Sequence, residues 1–360
     1  MLEDYLVYNG ILMLCPLLAY VGVRYNVRAI LIAAYLILGV FGIVRYDIGN
    51  DYENYYNMFE YLPVQFDFFG FSAAFLGLEP FALLLGMIFR HATDPQIWCI
   101  GAYWVLSVYF LYRINREHDS HVAGIAVFIL YGMMFFLFDV IRQGLAIMIV
   151  IYAMKFVGQN KFRYCLYVIL AACCHYSALI MLPGCWLINM KPHKYLWVAI
   201  IVMLVCGFYL KIWSRLINVI FENIPFYSIK YEDADKQLEM QEVSSGLGIL
   251  LKAVSSIVVI LCLDKRRSAC INSLFWGTAI FLIGSGNYNI ERMSLYFLYS
   301  IIISLPIVLK SVNRRSWGYL ILLGFALTFE KSLVHEPRGN TPYKTIFSDD
   351  FKNHQFRLRE

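Results

Sequence analysis

The chain has 360 residues, of which 60% are AVILMFWYC and only 15% are charged; its mean hydropathy is +0.62 and its formal net charge +5. Soluble domains carry about 25% charged and about 45–50% apolar residues, so a water-soluble fold is excluded. An all-α, polytopic integral membrane protein is expected, as a single membrane domain over residues 1–360. The basic excess is spread over helix ends, which leaves no stretch suited to nucleic acid.

Apolar runs that suit membrane helices fall at 5–23, 29–44, 97–112, 122–138, 143–157, 195–211, 247–263, 270–284, 293–309 and 317–333, and two stretches, 71–90 and 163–189, are ambiguous. The acidic start Met1-Leu2-Glu3-Asp4 does not resemble a cleavable leader, so the first run reads as a permanent span. The nine cysteines lie in or beside apolar runs without metal-ligand spacing and read as packing residues. No metal or cofactor is expected.

Orientation follows from the basic connections. Arg24/Arg28, Arg113/Arg116, Lys155/Lys161/Arg163, Lys191/Lys194, Lys265/Arg266/Arg267 and Lys310/Arg314/Arg315 hold half of the 30 Lys and Arg residues and belong in the cytoplasm. The outer loops are then 45–70, with five acids and one Arg, and 212–246, with six acids and three bases. Parity decides the rest. Between residue 45 outside and 113 inside, the run 97–112 crosses, so 71–90 cannot; Glu79-Pro80 within it suits a re-entrant or interfacial helix. Between 163 and 191, both inside, the chain goes out and back through two short helices meeting near Cys174-His175-Tyr176. The alternative there is one tilted helix that violates the charge rule. The count is about 11–12 crossings, with both termini and the tail 334–360 extracytoplasmic, on the same face as 45–60, Asp139–Arg142, His175 and 287–292.

That face carries the candidate chemistry. Between Arg45 and Tyr56 stand three acids and four tyrosines. Carboxylates bind vicinal hydroxyls and aromatic faces stack on sugar rings, although Gly49-Asn50-Asp51 is also a good turn and helix start. Arg142, with Gln143 beside it, stands at the mouth of an apolar helix, placed to snorkel or to bind phosphate through its planar fork. Asp139 lies three residues earlier, where it would orient Arg142 from the same helical face. His175 is an ionisable group in a long apolar stretch, either satisfied locally or a proton acceptor. Arg292, Tyr296 and Tyr299 share a face by helical spacing, next to Asn289. Arg45, Arg142 and Arg292 would suit one diphosphate headgroup. P-loop, Rossmann, HExxH and GxSxG patterns do not occur.

These pieces, in this order, resemble the EpsG-type family of Wzy-like polysaccharide polymerases. The resemblance rests on Arg45, Gly49, Asp51, Tyr52 and Tyr55 after the second span, and on Glu79-Pro80 ahead of the third. It continues through Arg142-Gln143 with Leu145-Ala146, His175 to Leu179, Asn289 with Arg292, and Pro342-Tyr343-Lys344. Asn50 departs from the small or hydroxyl residue common at its place.

The resemblance implies an integral-membrane glycosyltransferase of GT-C-like architecture in the bacterial inner membrane. It would join oligosaccharide repeat units of O-antigen, capsule or exopolysaccharide, with donor and acceptor both carried on undecaprenyl diphosphate. A chain-length regulator protein is a possible partner, besides membrane lipids. In that reading Arg142 and Arg292, with Arg45 third, stabilise the departing diphosphate. Asp51 or His175 is the base, with Glu79 a weaker candidate. Tyr52, Tyr55 and Tyr296 line the sugar cleft, and Asp139, Gln143 and Asn289 belong to the substrate site. The rivals are an O-antigen ligase, which would carry a large late outer domain, and a flippase or transporter, which would show repeats and mid-membrane breaks.

Overall fold

The structure is a computed structural model and describes residues 2–65, 78–213, 215–216, 246–285, 287–334, 339–353 and 356. Among these it is helical with no strand, apart from one isolated antiparallel bridge between Arg45 and Thr345. The chain divides into two compact units, one of Met1–Leu182 with Phe325–Glu360 and one of Pro183–Gly324.

In the first unit, α1 (Leu2–Arg24) and α2 (Arg28–Ile43) are joined by a turn at Asn26, whose φ of 55° is left-handed. Gly22 lets them close, since a Cβ there would lie 2.6 Å from Leu31 N. Most of the expected outer loop 45–70 is instead helical, as α3 (Tyr52–Gln65). The reason is periodic: Tyr52, Tyr55, Tyr56 and Phe59 recur at helical spacing and all four are buried, so an aromatic stripe does the work of an aliphatic one.

Helix α4 (Pro80–Phe89) starts with Pro80 at its first position, where a missing N–H costs nothing. Its 10 residues fall short of a crossing, as the reading of 71–90 expects; residues 71–77 of that stretch lie outside the described ones. Helix α5 (Pro95–Glu117) is long and apolar enough to cross a membrane. Next, α6 (His121–Leu130) and α7 (Met133–Asp139) meet at 57° at Gly132, whose φ is 81°.

Val140, with φ −125° and ψ 67°, then interrupts the helix before α8 (Ile141–Ala153). All of α7 and nearly all of α8 are buried, so these two form the core of the unit. Helix α9 (Lys161–Cys174), capped by Asn160 Oδ1 accepting from Arg163 N at 2.9 Å, ends where His175 turns extended. A 3-10 turn (Tyr176–Ile180) and α10 (Met181–Ile188) follow, so the stretch 163–189 breaks at His175, at the expected junction.

The second unit holds α11 (Lys194–Tyr209), α12 (Gly246–Cys262), α13 (Ser268–Ile283), α14 (Tyr288–Leu298), α15 (Ile301–Lys310) and the start of α16 (Arg315–Val334). Most of the expected loop 212–246 lies outside the described residues. Among the described residues four helical segments are long and apolar enough to cross a membrane (Asp4–Arg24, Pro95–Glu117, Asn289–Lys310, which runs through α14 and α15, and Arg315–Val334), or five if bent α6–α7 is one span. The other apolar helices run to 10–17 residues.

Apolar contacts between helices in lipid gain from packing more than from water release, and polar side chains tie helices together. In the first unit the Tyr35 hydroxyl meets His121 Nδ1 at 2.8 Å and accepts from Asn115 Nδ2 at 3.0 Å. In the second, Trp197 Nε1 donates to Asn272 Oδ1 at 3.1 Å and its ring stacks on Phe275 at 4.1 Å. The basic connections gather within each unit. Lys155 pairs with Glu117 at 2.6 Å in the first, while Lys194 and Arg314 both donate to carbonyls at the end of α12 in the second.

The tail returns to the first unit. Tyr46 N donates to Lys344 O at 2.9 Å and Ile346 N to Val44 O at 2.9 Å, and α17 (Asp349–Lys352) places Phe351 5.2 Å from the Tyr46 ring. The tail and the loop after α2 therefore lie at one end of the unit.

Candidate functional site

Three ionisable side chains meet in the first unit, each from a place where a helix stops or starts. Glu79 precedes α4 with extended backbone (φ −69°, ψ 145°), and its side chain leaves the helix end uncapped. Arg142 is the second residue of α8 after the break at Val140, and His175 is the extended residue that ends α9. Helix breaks are where a membrane protein can aim charge inward without carrying it along a lipid-facing wall.

Glu79 is the hub. Its Oε2 accepts from Arg142 Nη1, and its Oε1 lies 2.7 Å from His175 Nδ1. The carboxylate is buried, with 4% of its side chain exposed, whereas Arg142 and His175 each keep 24%. The inner member is thus sealed and the two outer members reach an accessible space. Burial alone would raise the Glu79 carboxyl, but the His175 hydrogen bond and the Arg142 charge outweigh it and hold it below its ordinary value.

Neighbouring groups complete the pocket. The Arg142 guanidinium sits 5.5 Å from the Tyr55 ring centroid, and the Tyr176 hydroxyl donates to Leu78 O at 3.1 Å, tying the His175 turn to the residue before Glu79. Tyr103 is fully buried, packed edge-on against Phe81 at 5.1 Å, and its hydroxyl has no hydrogen-bond partner among the described residues. Arg142 Nε is likewise buried without a partner among the described residues. Buried donors of this kind call for a water or a ligand oxygen.

Of the residues expected to act, Arg142, His175, Glu79 and Tyr55 come together. Glu79, ranked below Asp51 and His175 as a base, is instead the group that joins the other two. Asp51 is half-buried in the turn before α3, its carbonyl accepting from Tyr55 N at 3.0 Å. Among the described residues no hydrogen bond or ion pair links it to the three.

Three expectations are corrected. Asp139 does not share a helical face with Arg142, because Val140 interrupts the helix between them; Asp139 Oδ1 accepts from Asn50 N at 3.0 Å instead. Arg45 is no surface cation for phosphate. It is 1% exposed, and its Nη1 donates to Ile48 O at 2.6 Å and Phe138 O at 3.2 Å while the guanidinium lies 4.5 Å from the Phe138 ring centroid. Burial pulls the Arg45 guanidinium below its ordinary value, yet an arginine stays charged throughout the physiological range. Tyr52, expected in a sugar cleft, is 1% exposed and donates its hydroxyl to Arg45 O at 3.3 Å.

Gln143 is also buried. Asn289, Arg292 and Tyr296 belong to the second unit, on α14. Asn289 and Arg292 are half-buried and Tyr296 fully so. Asn287 caps this helix by accepting from Ile290 N at 3.2 Å.

A signal for Glu79 was present in the sequence. A carboxylate before a proline in an apolar stretch needs a cation, and Arg142 and His175 were among the isolated ionisable groups that could supply one. Tyr103 carried no such signal, being one tyrosine among many. Among the described residues no group of three or more His, Cys, Asp and Glu side chains is gathered as a metal site would need.

No curated protein and no solved structure matches the chain. The model of the EpsG family matches residues 2–345, from the first helix to the tail segment that returns to Arg45. The chain therefore belongs to the EpsG family, which marks it as an integral membrane protein with a polysaccharide-polymerase, glycosyltransferase-type function.

Proposed function

We propose that the protein is a Wzy-like polymerase of GT-C-like plan that joins polyprenyl-diphosphate-linked oligosaccharide repeat units on the extracytoplasmic face of the bacterial cytoplasmic membrane. The observation that carries this reading is the single buried carboxylate of Glu79 shared by Arg142 and His175. One partner suits the proton that the reaction must remove, the other the charge it must stabilise.

In this reading the growing chain sits on the donor diphosphate and the acceptor is a hydroxyl of the incoming unit. The hydroxyl oxygen forms a bond to the anomeric carbon as the bond from that carbon to the diphosphate oxygen breaks. The electron pair leaves with the diphosphate. His175, with Nδ1–H turned to Glu79, presents Nε2 as the acceptor for the hydroxyl proton. Glu79 fixes that tautomer and steadies the imidazolium that forms. Arg142 faces the negative charge that grows on the diphosphate, where a fixed guanidinium acts without reorganising. Roles for Asp51 as an alternative base, for Arg292 on the diphosphate, and for Asn289 and Tyr296 on the sugars rest on the sequence resemblance. Undecaprenyl diphosphate as carrier, and a chain-length regulator as partner, have the same footing.

The test uses purified protein in nanodiscs with the cell's own lipid-linked repeat units. A ladder of polymer from wild type, and single units from folded Arg142→Ala, is the expected result. Transfer of finished polymer to lipid A without elongation would instead indicate a ligase. Movement of the unit between liposome leaflets without any ladder would indicate a flippase.

A further inference from the structure

Gly339–Ile346 is fastened at several points: Gly49 N donates to Gly339 O at 3.3 Å, Tyr8 Oη to Asn340 O at 2.5 Å, and Tyr343 N to Asp4 Oδ1 at 2.7 Å. The Tyr343 ring stacks on Phe41 at 4.6 Å with 5° between planes, and its hydroxyl donates to the Phe41 carbonyl. Backbone bonds from Tyr46 and Ile346 complete the pairing with Val44–Tyr46.

What this segment covers is Arg45 and the turn after it. Between them they grip two neighbouring residues across the unit, Phe138 and Asp139. Arg45 holds the carbonyl of Phe138, which the break at Val140 deprives of a regular helical donor, and Asn50 N holds the Asp139 carboxylate. Gly49, with φ 97°, presses so close that a Cβ would lie 2.6 Å from Phe138 O. Phe138 and Asp139 are the last residues before the break, and Arg142 follows it within one turn. Val140 is the one non-helical residue between α7 and α8, both regular and buried, so the direction of α8 relative to α7 is set there.

We infer that Gly339–Ile346 is a strap that positions Arg142: by clamping Arg45 and Gly49-Asn50 onto Phe138 and Asp139, it sets the angle at which α8 leaves Val140 and so holds the guanidinium against Glu79. Arg45 and Tyr343 are positioning residues; neither touches the reacting groups. A misplacement of about 1 Å at a charge-stabilising group costs on the order of 10²-fold in rate.

The experiment has two arms, both on the full chain in nanodiscs, with Tyr343→Ala as the main variant. Should that variant fail to give a monodisperse protein, Arg45→Lys replaces it, keeping the charge while losing the forked donation. In the first arm, hydrogen–deuterium exchange is followed on peptides covering 136–146. The strap requires faster exchange there in the variant, with the middle of α5 unchanged; unaltered exchange at 136–146 in a folded variant overturns it. The second arm rests on the polymerase reading and measures polymer formation at saturating substrate in wild-type and Arg142→Lys backgrounds. Tyr343→Ala should lower the rate ten- to a hundredfold in wild type (on the order of the loss above) and lower the Arg142→Lys rate by much less, since the forked donation that the strap aims is already lost in that background. Equal losses in both backgrounds would mean general destabilisation and sink the inference. If wild type forms no polymer, the functional reading falls and the exchange arm alone decides the strap.

Discussion

His175 and Arg142 are held by opposite oxygens of one carboxylate, that of Glu79. Arg142 lies 63 and His175 lies 96 positions from Glu79 along the chain, and the imidazole contact is 2.7 Å. A shared carboxylate couples a proton acceptor to a fixed positive charge, and most of what can be measured about this protein follows from that coupling.

Glu79→Gln removes the charge but keeps the shape. The imidazole loses the partner that sets its tautomer, and Arg142 loses its anchor. Polymer formation should fall by about 10²–10⁴-fold, while the protein stays folded. Glu79→Asp, which keeps the charge on a shorter arm, should recover part of the loss in the same ladder assay.

The depressed Glu79 carboxyl also predicts a pH dependence of stability. A carboxyl held below its ordinary value of 4.5 adds stability that is fully present above that value. It is lost as pH falls through the lowered folded value. Thermal unfolding of wild type and Glu79→Gln in detergent should therefore differ most at neutral pH and converge in acid. A gap that widened on acidification would contradict the assignment.

His175→Gln retains a hydrogen-bonding side chain without a usable base. The expected loss is about 10²–10⁴-fold in turnover, with the concentration of lipid-linked substrate at half-saturation little changed. A loss confined to substrate affinity would move His175 from proton transfer to binding.

Arg142→Lys keeps the charge but not the planar fork, which here reaches both Glu79 and Tyr55. Turnover should drop by about 10²–10³-fold. Direct binding of undecaprenyl diphosphate, measured by native mass spectrometry, should weaken with it; unchanged binding together with unchanged turnover would remove Arg142 from the site.

Gly49→Ala adds one methyl where φ is 97° and where its Cβ would press on the Phe138 carbonyl. Both effects destabilise, by about 1–3 kcal/mol together. The melting temperature should fall clearly. Gly10→Ala, which has open space at its Cβ, should leave it almost unchanged.

The sequence by itself determined the class of the protein and several of its joints. Apolar runs demanded a helical membrane protein, because in lipid the backbone must satisfy its own hydrogen bonds. Pro80 marked the start of a short helix, and the Cys174-His175-Tyr176 step marked the end of another, as local chemistry at helix termini allows. The tertiary structure decided which of those joints face one another. Arg45 and Arg142 look alike along the chain, two arginines at the ends of apolar runs, yet one is sealed beneath the tail and the other is half-buried beside Glu79. Asp139 and Arg142 are one helical turn apart in sequence and are separated by a single non-helical residue that periodicity cannot foresee. Helical spacing constrains neighbours within a turn. Which carboxylate a cation finds 63 residues away depends on how helices pack, and that is written only in the assembled fold.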